Sequence, residues 1–412
     1  LSIFRPIRGM IQQTTMKMLQ RSEQPSNTQD YSWRFWFTLP IYPFGKRRTI
    51  RKEVVKDTIW TFDQLQGIFY VVVPIRMTVV KLNEGGLLVY APVAPTPECV
   101  RLVEELVAEH GKIKYIILPT ISGLEHKVFV GPFARRFADS QVFVAPKQWS
   151  FPVNLPLSWL GIPGKRTQVL AEDSSKIPFA NEFDHSILGP IELGLGRFAE
   201  VALFHKSSKT LLVTDSIVSV PEQPPAIIQL DSYPLLFHAK DKATDIIANT
   251  PENRRKGWQR IALFALYFRP SVLDLPKWRE VFRNAFQASE RSKNAYFGLY
   301  PFQWKSNWQR CFDALHGDGR LFVAPILQTL ILNRAPSETI AWADKVANWD
   351  FKRIIPCHFD APIEATPYQF RQAFSFLEKY SNSILPQEDF QLLEEIDATL
   401  NKLGIPPAKE KV

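Results

Sequence analysis

Cysteine is scarce: Cys99, Cys311 and Cys357 are the only three in 412 residues, far apart and odd in number. A disulfide scaffold and a cysteine-rich zinc module are excluded, and buried thiols in a reducing compartment are expected. Long apolar runs are missing as well. The longest, Ile261 to Phe268, is closed by Arg260 and Arg269, well short of the roughly 20 residues that span a bilayer. There is no Gly-rich phosphate loop and no G-x-S-x-G elbow, so the two commonest signatures of nucleotide binding and serine hydrolysis are absent. Gly194-Leu-Gly196 is a lone fragment and reads as a turn.

What is present is an ordinary globular composition, 45% hydrophobic and 22% charged. The length suits two or three domains, or one large domain with an insertion. The formal charge of +9 is uneven: residues 1–56 hold eleven Lys/Arg against Glu23, Asp30 and Glu53. The rest of the chain is nearly neutral, which is not the pattern of a nucleic-acid binder. The chain opens on Leu1, which leaves an upstream targeting segment open.

The basic N-terminal arm divides in two. A short helix is expected around Met10 to Leu19. Residues 31–44 then hold seven aromatics and are followed by Lys46, Arg47, Arg48, Arg51 and Lys52. Rings beside a basic run suit docking through residues 31–52 to an anionic membrane surface or an acidic protein partner. The alternative is that the rings pack on the body and the cations are merely solvated.

From Met77 the pattern is regular. Met77–Leu82 and Leu87–Ala91 read as a hairpin across Glu84-Gly85-Gly86. Thr96-Pro97-Glu98 starts a helix that Gly111 stops. Residues 114–118 are a buried strand, 126–138 a helix and 141–144 the next strand. Val201–Phe204 and Thr210–Val213 pair around Lys206 to Lys209. Later come a helix over 337–349, a strand over 353–356 and a helix over 368–380. Continuous apolar strands between helices predict a layered α/β architecture. Residues 221–333 lack strand rhythm and read as a helical insertion.

Three of these strands lead into residues that ligate metals: Glu125 and His126, Asp215, and His358. Ligand sites in open α/β sheets gather at the carboxyl ends of strands. Two carboxylates and two imidazoles make a first shell for zinc, iron or manganese. Each alone is weak: Asp215 could cap a turn, and a lone His is more often structural. His110 and His316, at helix ends, are expected to be structural.

With these segments in view, the chain resembles the metallo-β-lactamase superfamily, an αββα sandwich. More narrowly it is similar to a cyanobacterial and plastid family of that fold known as a domain of unknown function. The segments Leu118 to His126, Leu203 to Asp215 and Arg353 to Ile363 carry the likeness, which covers roughly residues 77–380. The resemblance implies boundaries at 1–56 (arm), 57–220 and 334–405 (the two halves of the fold), 221–333 (insertion) and 406–412 (tail). It also implies a cytoplasmic or plastid-stromal protein, peripheral at the thylakoid membrane.

The superfamily's first motif, His-x-His-x-Asp-His, falls on Ile121, Gly123, Glu125 and His126, and its turn His falls near Gly196, with His185 eleven residues earlier. All ligands special to the first metal are thus replaced. The second keeps Glu125, His126, Asp215 and His358. The resemblance therefore implies one metal ion (Zn, Fe or Mn) or none. Two functions remain: a non-catalytic binding or assembly protein near a membrane, or a single-metal hydrolase of a small substrate. His126, Asp215 and His358 are expected to converge, with Glu125 at the edge.

Overall fold

The computed structural model describes residues 28–407 and 409, apart from 122, 151–153, 195 and 379–384. The helix expected over residues 10–19 lies outside the described residues. Alternation along the strands decides the layers, because successive side chains point to opposite faces. A seven-stranded sheet runs in the order β1 (Ile50–Val55), β2 (Ile59–Ile68), β3 (Val71–Lys81), β4 (Leu87–Tyr90), β5 (Ile113–Leu118), β6 (Gln141–Val144) and β7 (Thr167–Val169). Its first four strands are antiparallel, and β4 to β7 are parallel.

On one face Val79, Val89, Ile116 and Val142 pack under helices α1 (Pro97–His110) and α2 (Leu124–Arg136), which contribute Val103, Leu106, Phe129 and Phe133. On the other face Val80, Leu88, Ile117 and Phe143 meet Phe183, Val201, Leu203, Leu212 and Ile355. These come from the second sheet: β8 (Phe183–Glu192), β9 (Arg197–His205), β10 (Thr210–Leu212), β13 (Arg353–Ile355) and β14 (Ile363–Glu364).

The outer face of the second sheet, including Ala202, Phe204, Leu211 and Ile354, is covered by helices. Residues 221–333 supply α3 (Ala226–Gln229), α4 (Tyr233–Ala239), α5 (Pro251–Tyr267), α6 (Trp278–Ala285), α7 (Trp308–His316) and α8 (Pro325–Leu330). They also hold a small two-stranded sheet, β11 (Leu273–Asp274) with β12 (Gln303–Trp304). Then follow α9 (Pro336–Ala347), α10 (Pro367–Gln372) and α11 (Gln391–Lys402). The result is an αββα sandwich. Among the described residues no helix is long and apolar enough to cross a membrane.

Local signals behave as their chemistry dictates. Thr96 caps α1 by accepting from the Cys99 N–H, and Gly111 closes it at φ 97°, a backbone conformation that favours glycine. The helix expected over 368–380 is shorter. It ends at Gln372 and passes into a 3-10 turn, Ser375–Leu377, so that Phe374 and Leu377 bury.

The N-terminal segment follows the packing alternative over much of its described length. From residue 28 it lies against the body, and β1 is an edge strand of the first sheet. Trp33 is buried edge-on against Phe129, with ring centroids 5.5 Å apart. The Arg47 guanidinium is buried, donates to the Leu65 carbonyl at 2.9 Å and sits over the Phe129 ring. Arg48 pairs with Glu98, and Arg51 with Glu105 and the Leu102 carbonyl. Much of the basic run is thus used internally. Phe35, Trp36, Phe37 and Phe44 remain exposed.

Candidate metal centre

The three strand ends converge on one partly exposed cluster. Leu118 ends β5, a short loop follows, and Glu125 and His126 fall in the first turn of α2, where an acidic side chain suits the helix dipole. Asp215 follows β10 and His358 follows β13, and these two strands are parallel neighbours. His358 is the hub. Its Nε2 lies 3.1 Å from Asp215 Oδ1 and 3.2 Å from Glu125 Oε2.

The expected ranking is reversed. Glu125 makes direct contact and is not at the edge. His126 is close enough to be influenced by the charges of Glu125, Asp215 and His358, but its ring hydrogen-bonds to none of them.

Tautomers follow from the partners. His358 Nδ1 lies 2.9 Å from the Pro74 carbonyl, and His126 Nδ1 lies 3.0 Å from the Pro92 carbonyl. A carbonyl only accepts, so both Nδ1 atoms carry hydrogen and both Nε2 atoms are left for other duty. A bare Nε2 lone pair on His358 would repel two carboxylates, so only a proton or a cation makes this contact favourable. Burial opposes the imidazolium, but Glu125 and Asp215 outweigh it and hold His358 well above the usual range. Loss of solvent around its inner oxygen would likewise raise Glu125, yet His358 outweighs it, helped by a hydrogen bond from Gln66, and holds it below the usual carboxylate range. His126 is lowered, chiefly by burial. Its Nε2 is buried and has no hydrogen-bond partner.

Two residues that sequence reasoning passed over hold these groups in place. Glu200, fully buried on β9, accepts from the Thr214 and Ser216 side of the turn through Oε1 (Thr214 N–H 3.0 Å, Ser216 Oγ 2.7 Å). Its Oε2 accepts the Asp215 and Ser216 N–H groups, both at 2.8 Å. Arg76, 3% exposed on β3, makes a forked pair with Asp63 across the β2–β3 register at 2.7 and 3.1 Å. Its remaining donors reach the carbonyls of Pro356 at 2.7 Å and Phe359 at 3.0 Å, clamping the turn that carries His358. The signal available in the sequence was a charged residue inside an otherwise apolar strand.

The positions of the lost motif offer no donors. Ile121 is buried in apolar surroundings, and Gly123 has no side chain. A Cβ on Gly196 would come within 3.0 Å of the Trp149 ring. The buried Lys127 ammonium bonds the carbonyls of Ile121 and Trp149. His185 is spent elsewhere, 2.6 Å from the Ala171 carbonyl. His316 and the free thiols are structural in setting: His316 Nδ1 bonds the Val220 carbonyl, and all three cysteines are buried.

As a donor set, two imidazole Nε2 atoms and two carboxylates fit one divalent transition metal, with each Nδ1–H anchored on a carbonyl as ligating histidines usually are. The orphaned His126 Nε2 is the atom such an ion would satisfy. The present spacing is that of an ion-paired cluster with His126 outside it. Among the described residues, the group with three ligand atoms all within 4.8 Å of one another is elsewhere: Asp57, Glu109 and His110.

The profile of a domain of unknown function, DUF4336, matches residues 56–376. A comparison with curated protein sequences finds no match. Among solved structures, the chain is similar to a metal-soaked flavodiiron core from Synechocystis sp. PCC6803 (9% identity, 81% of this chain, 62% of that one, TM-score 0.39). It is also similar to a flavo-di-iron protein from Thermotoga maritima (9% identity, 80% and 61%, TM-score 0.41) and a metallo-β-lactamase from Pontibacter korlensis (13% identity, 42% and 74%, TM-score 0.31). The chain spans about three-fifths of the two flavodiiron proteins it matches. At such identities and scores these likenesses carry no function; the sandwich itself rests on the sheet orders and the residues buried between them.

Proposed function

This chain belongs to the DUF4336 family, and from that premise we propose that it binds one divalent transition metal through Glu125, His126, Asp215 and His358 and serves as a binding or assembly protein. The observation that carries this reading is the buried, partnerless Nε2 of His126 beside a cluster in which two carboxylates already share the His358 Nε2. Such a metal would supply Lewis acidity. The chain's own residues do the rest: Pro74 and Pro92 carbonyls fix the imidazole tautomers, and Glu200 and Arg76 hold the Asp215 and His358 turns. Ligand-free Ile121, Gly123 and Gly196 support one ion over two.

A single-metal hydrolase acting on a small ester-like substrate is the second reading. What favours it is that the Glu125 and Asp215 side chains remain 42% and 33% exposed, so a substrate could reach them. A role for residues 31–52 in docking to an anionic membrane surface or acidic partner is supported by the exposed Phe35, Trp36, Phe37 and Phe44. It is weakened by the internal pairing of Arg47, Arg48 and Arg51.

Calorimetric titration of chelator-treated protein with zinc tests the reading. One equivalent is expected, abolished in His126→Ala and in His358→Ala. Two equivalents, or a stoichiometry untouched by either substitution, would refute it. Turnover of activated esters by the zinc-loaded protein, lost in Asp215→Asn, would favour the hydrolase.

A further inference from the structure

Helix α6 carries an apolar face that the fold does not use. Trp278, Phe282 and the capping residue Phe286 stand at i, i+4 and i+8, a single stripe at 100° per residue. The buried seam of the helix is the neighbouring one, Val281 and Ala285. The three rings are 64, 54 and 79% exposed. Lone exposed apolar residues are ordinary, but three large rings aligned on one helix mark a binding surface.

Charge completes the arrangement. One helical step beyond the rings, on the side away from the seam, come Arg279 and Arg283, both exposed and without an ion-pair partner among the described residues. Lys277, Arg291 and Lys293 are exposed nearby in sequence, and Glu280 is the helix's one acid.

Two neighbours enlarge the patch. Leu275, just before the helix, is exposed. Phe297 is exposed too and sits on a 3-10 turn pressed to the end of α6, where a Cβ on Gly298 would lie 2.7 Å from the Ala285 carbonyl. Phe297 has φ 58°, a left-handed conformation that is costly for a bulky residue. Backbone strain is spent here on turning a ring toward water, which points to use.

We propose that this face docks on an anionic lipid bilayer, with α6 lying in the plane of the interface. The rings enter the headgroup–acyl boundary, while Arg279 and Arg283, with Lys277 at the helix start, meet the lipid phosphates. An aromatic stripe flanked by arginine is the composition that interfacial helices present. None of these residues belongs to the candidate metal centre or to residues 31–52, although Tyr42 and Tyr296 pack in one aromatic cluster.

The test is flotation of the full chain with phosphatidylcholine vesicles containing about 30% phosphatidylglycerol, against phosphatidylcholine alone. Binding to the anionic vesicles, weakened by salt, is expected. Phe282→Ser with Phe286→Ser should lower the partition coefficient roughly tenfold or more, and Arg279→Gln with Arg283→Gln should remove most of the salt-sensitive part. All four side chains are exposed, so an unchanged melting temperature checks folding. Trp36→Ser with Phe37→Ser is the comparison for the N-terminal segment. The proposal is overturned if wild type ignores anionic vesicles, if it binds neutral vesicles equally well, or if only the N-terminal variant loses binding. Self-association that Phe282→Ser abolishes, without vesicle binding, would assign the face to a second copy of the chain and also overturn it.

Discussion

Replacing Arg76 by Met should damage the molecule more than any other single change near the site. Arg76 is buried, and its guanidinium makes four hydrogen bonds: two to the Asp63 carboxylate and one each to the Pro356 and Phe359 carbonyls. Methionine fills comparable space but donates nothing. Breaking a buried pair costs about 3–5 kcal/mol, because the surviving charge is left uncompensated. Asp63 retains some solvent contact, at 22% exposure, which favours the low end. Two carbonyls without donors add about 1 kcal/mol each. The expected loss is therefore about 5 kcal/mol, read from the urea midpoint by tryptophan fluorescence. Asp63→Asn removes the stranded charge, so the double variant should be less damaged than the sum of the singles by about 2 kcal/mol. Arg76→Lys cannot span three acceptors and should recover less than half. Because Pro356 and Phe359 bracket His358, zinc affinity should fall with stability. A loss under about 1 kcal/mol in Arg76→Met, with additive singles, would refute the clamp.

Other consequences are as specific. Trp33→Ala should cost about 3–5 kcal/mol in the same assay, since the ring is buried against Phe129; a free arm would lose nothing. Gly257→Ala should destabilise although alanine favours helix by about 1 kcal/mol, because its Cβ would lie 1.8 Å from the Leu235 carbonyl; a gain in melting temperature would contradict the close approach of α4 and α5. Burial lowers His238 to about 3. Its folded pKa is depressed, so its contribution is complete above the unfolded value near 6.5 and is lost as pH falls toward 3. Stability should decline by about 1.4 kcal/mol per pH unit below 6.5 through this group, and His238→Asn should flatten that slope between pH 6.5 and 5.

Some of this was legible in the sequence for a physical reason. The runs Ile116 to Leu118, Leu211 to Val213 and Ile354 to Ile355 are short, apolar and sharply bounded, so strands and their ends could be located, and with them Glu125, Asp215 and His358. Thr96 and Gly111 announced α1 through capping chemistry. By contrast, β2 carries Thr61, Asp63, Gln64 and Gln66 among its apolar residues and gave no clean alternation. Two of these polar groups find partners that only the fold supplies: Gln64 in Thr49 and Ala94, Asp63 in Arg76. Arg47 looked like one cation in a run; only the fold supplies the Leu65 carbonyl and the Phe129 ring that bury it. Glu200 lies just outside the apolar run Val201 to Phe204, and only the fold brings the turn after β10 onto it. The order of Glu125 and His126 around His358 depends on how α2 starts, and spacing alone could not give it.

The central claim is a single ion among Glu125, His126, Asp215 and His358. An anomalous-difference map from crystals grown with zinc tests it most directly. One strong peak is expected at about 2.0–2.1 Å from the Nε2 atoms of His126 and His358, with both carboxylates drawn onto it. A site without a peak, His358 still bridging Glu125 and Asp215 and His126 Nε2 still alone, would contradict it, as would a sole peak at Asp57, Glu109 and His110.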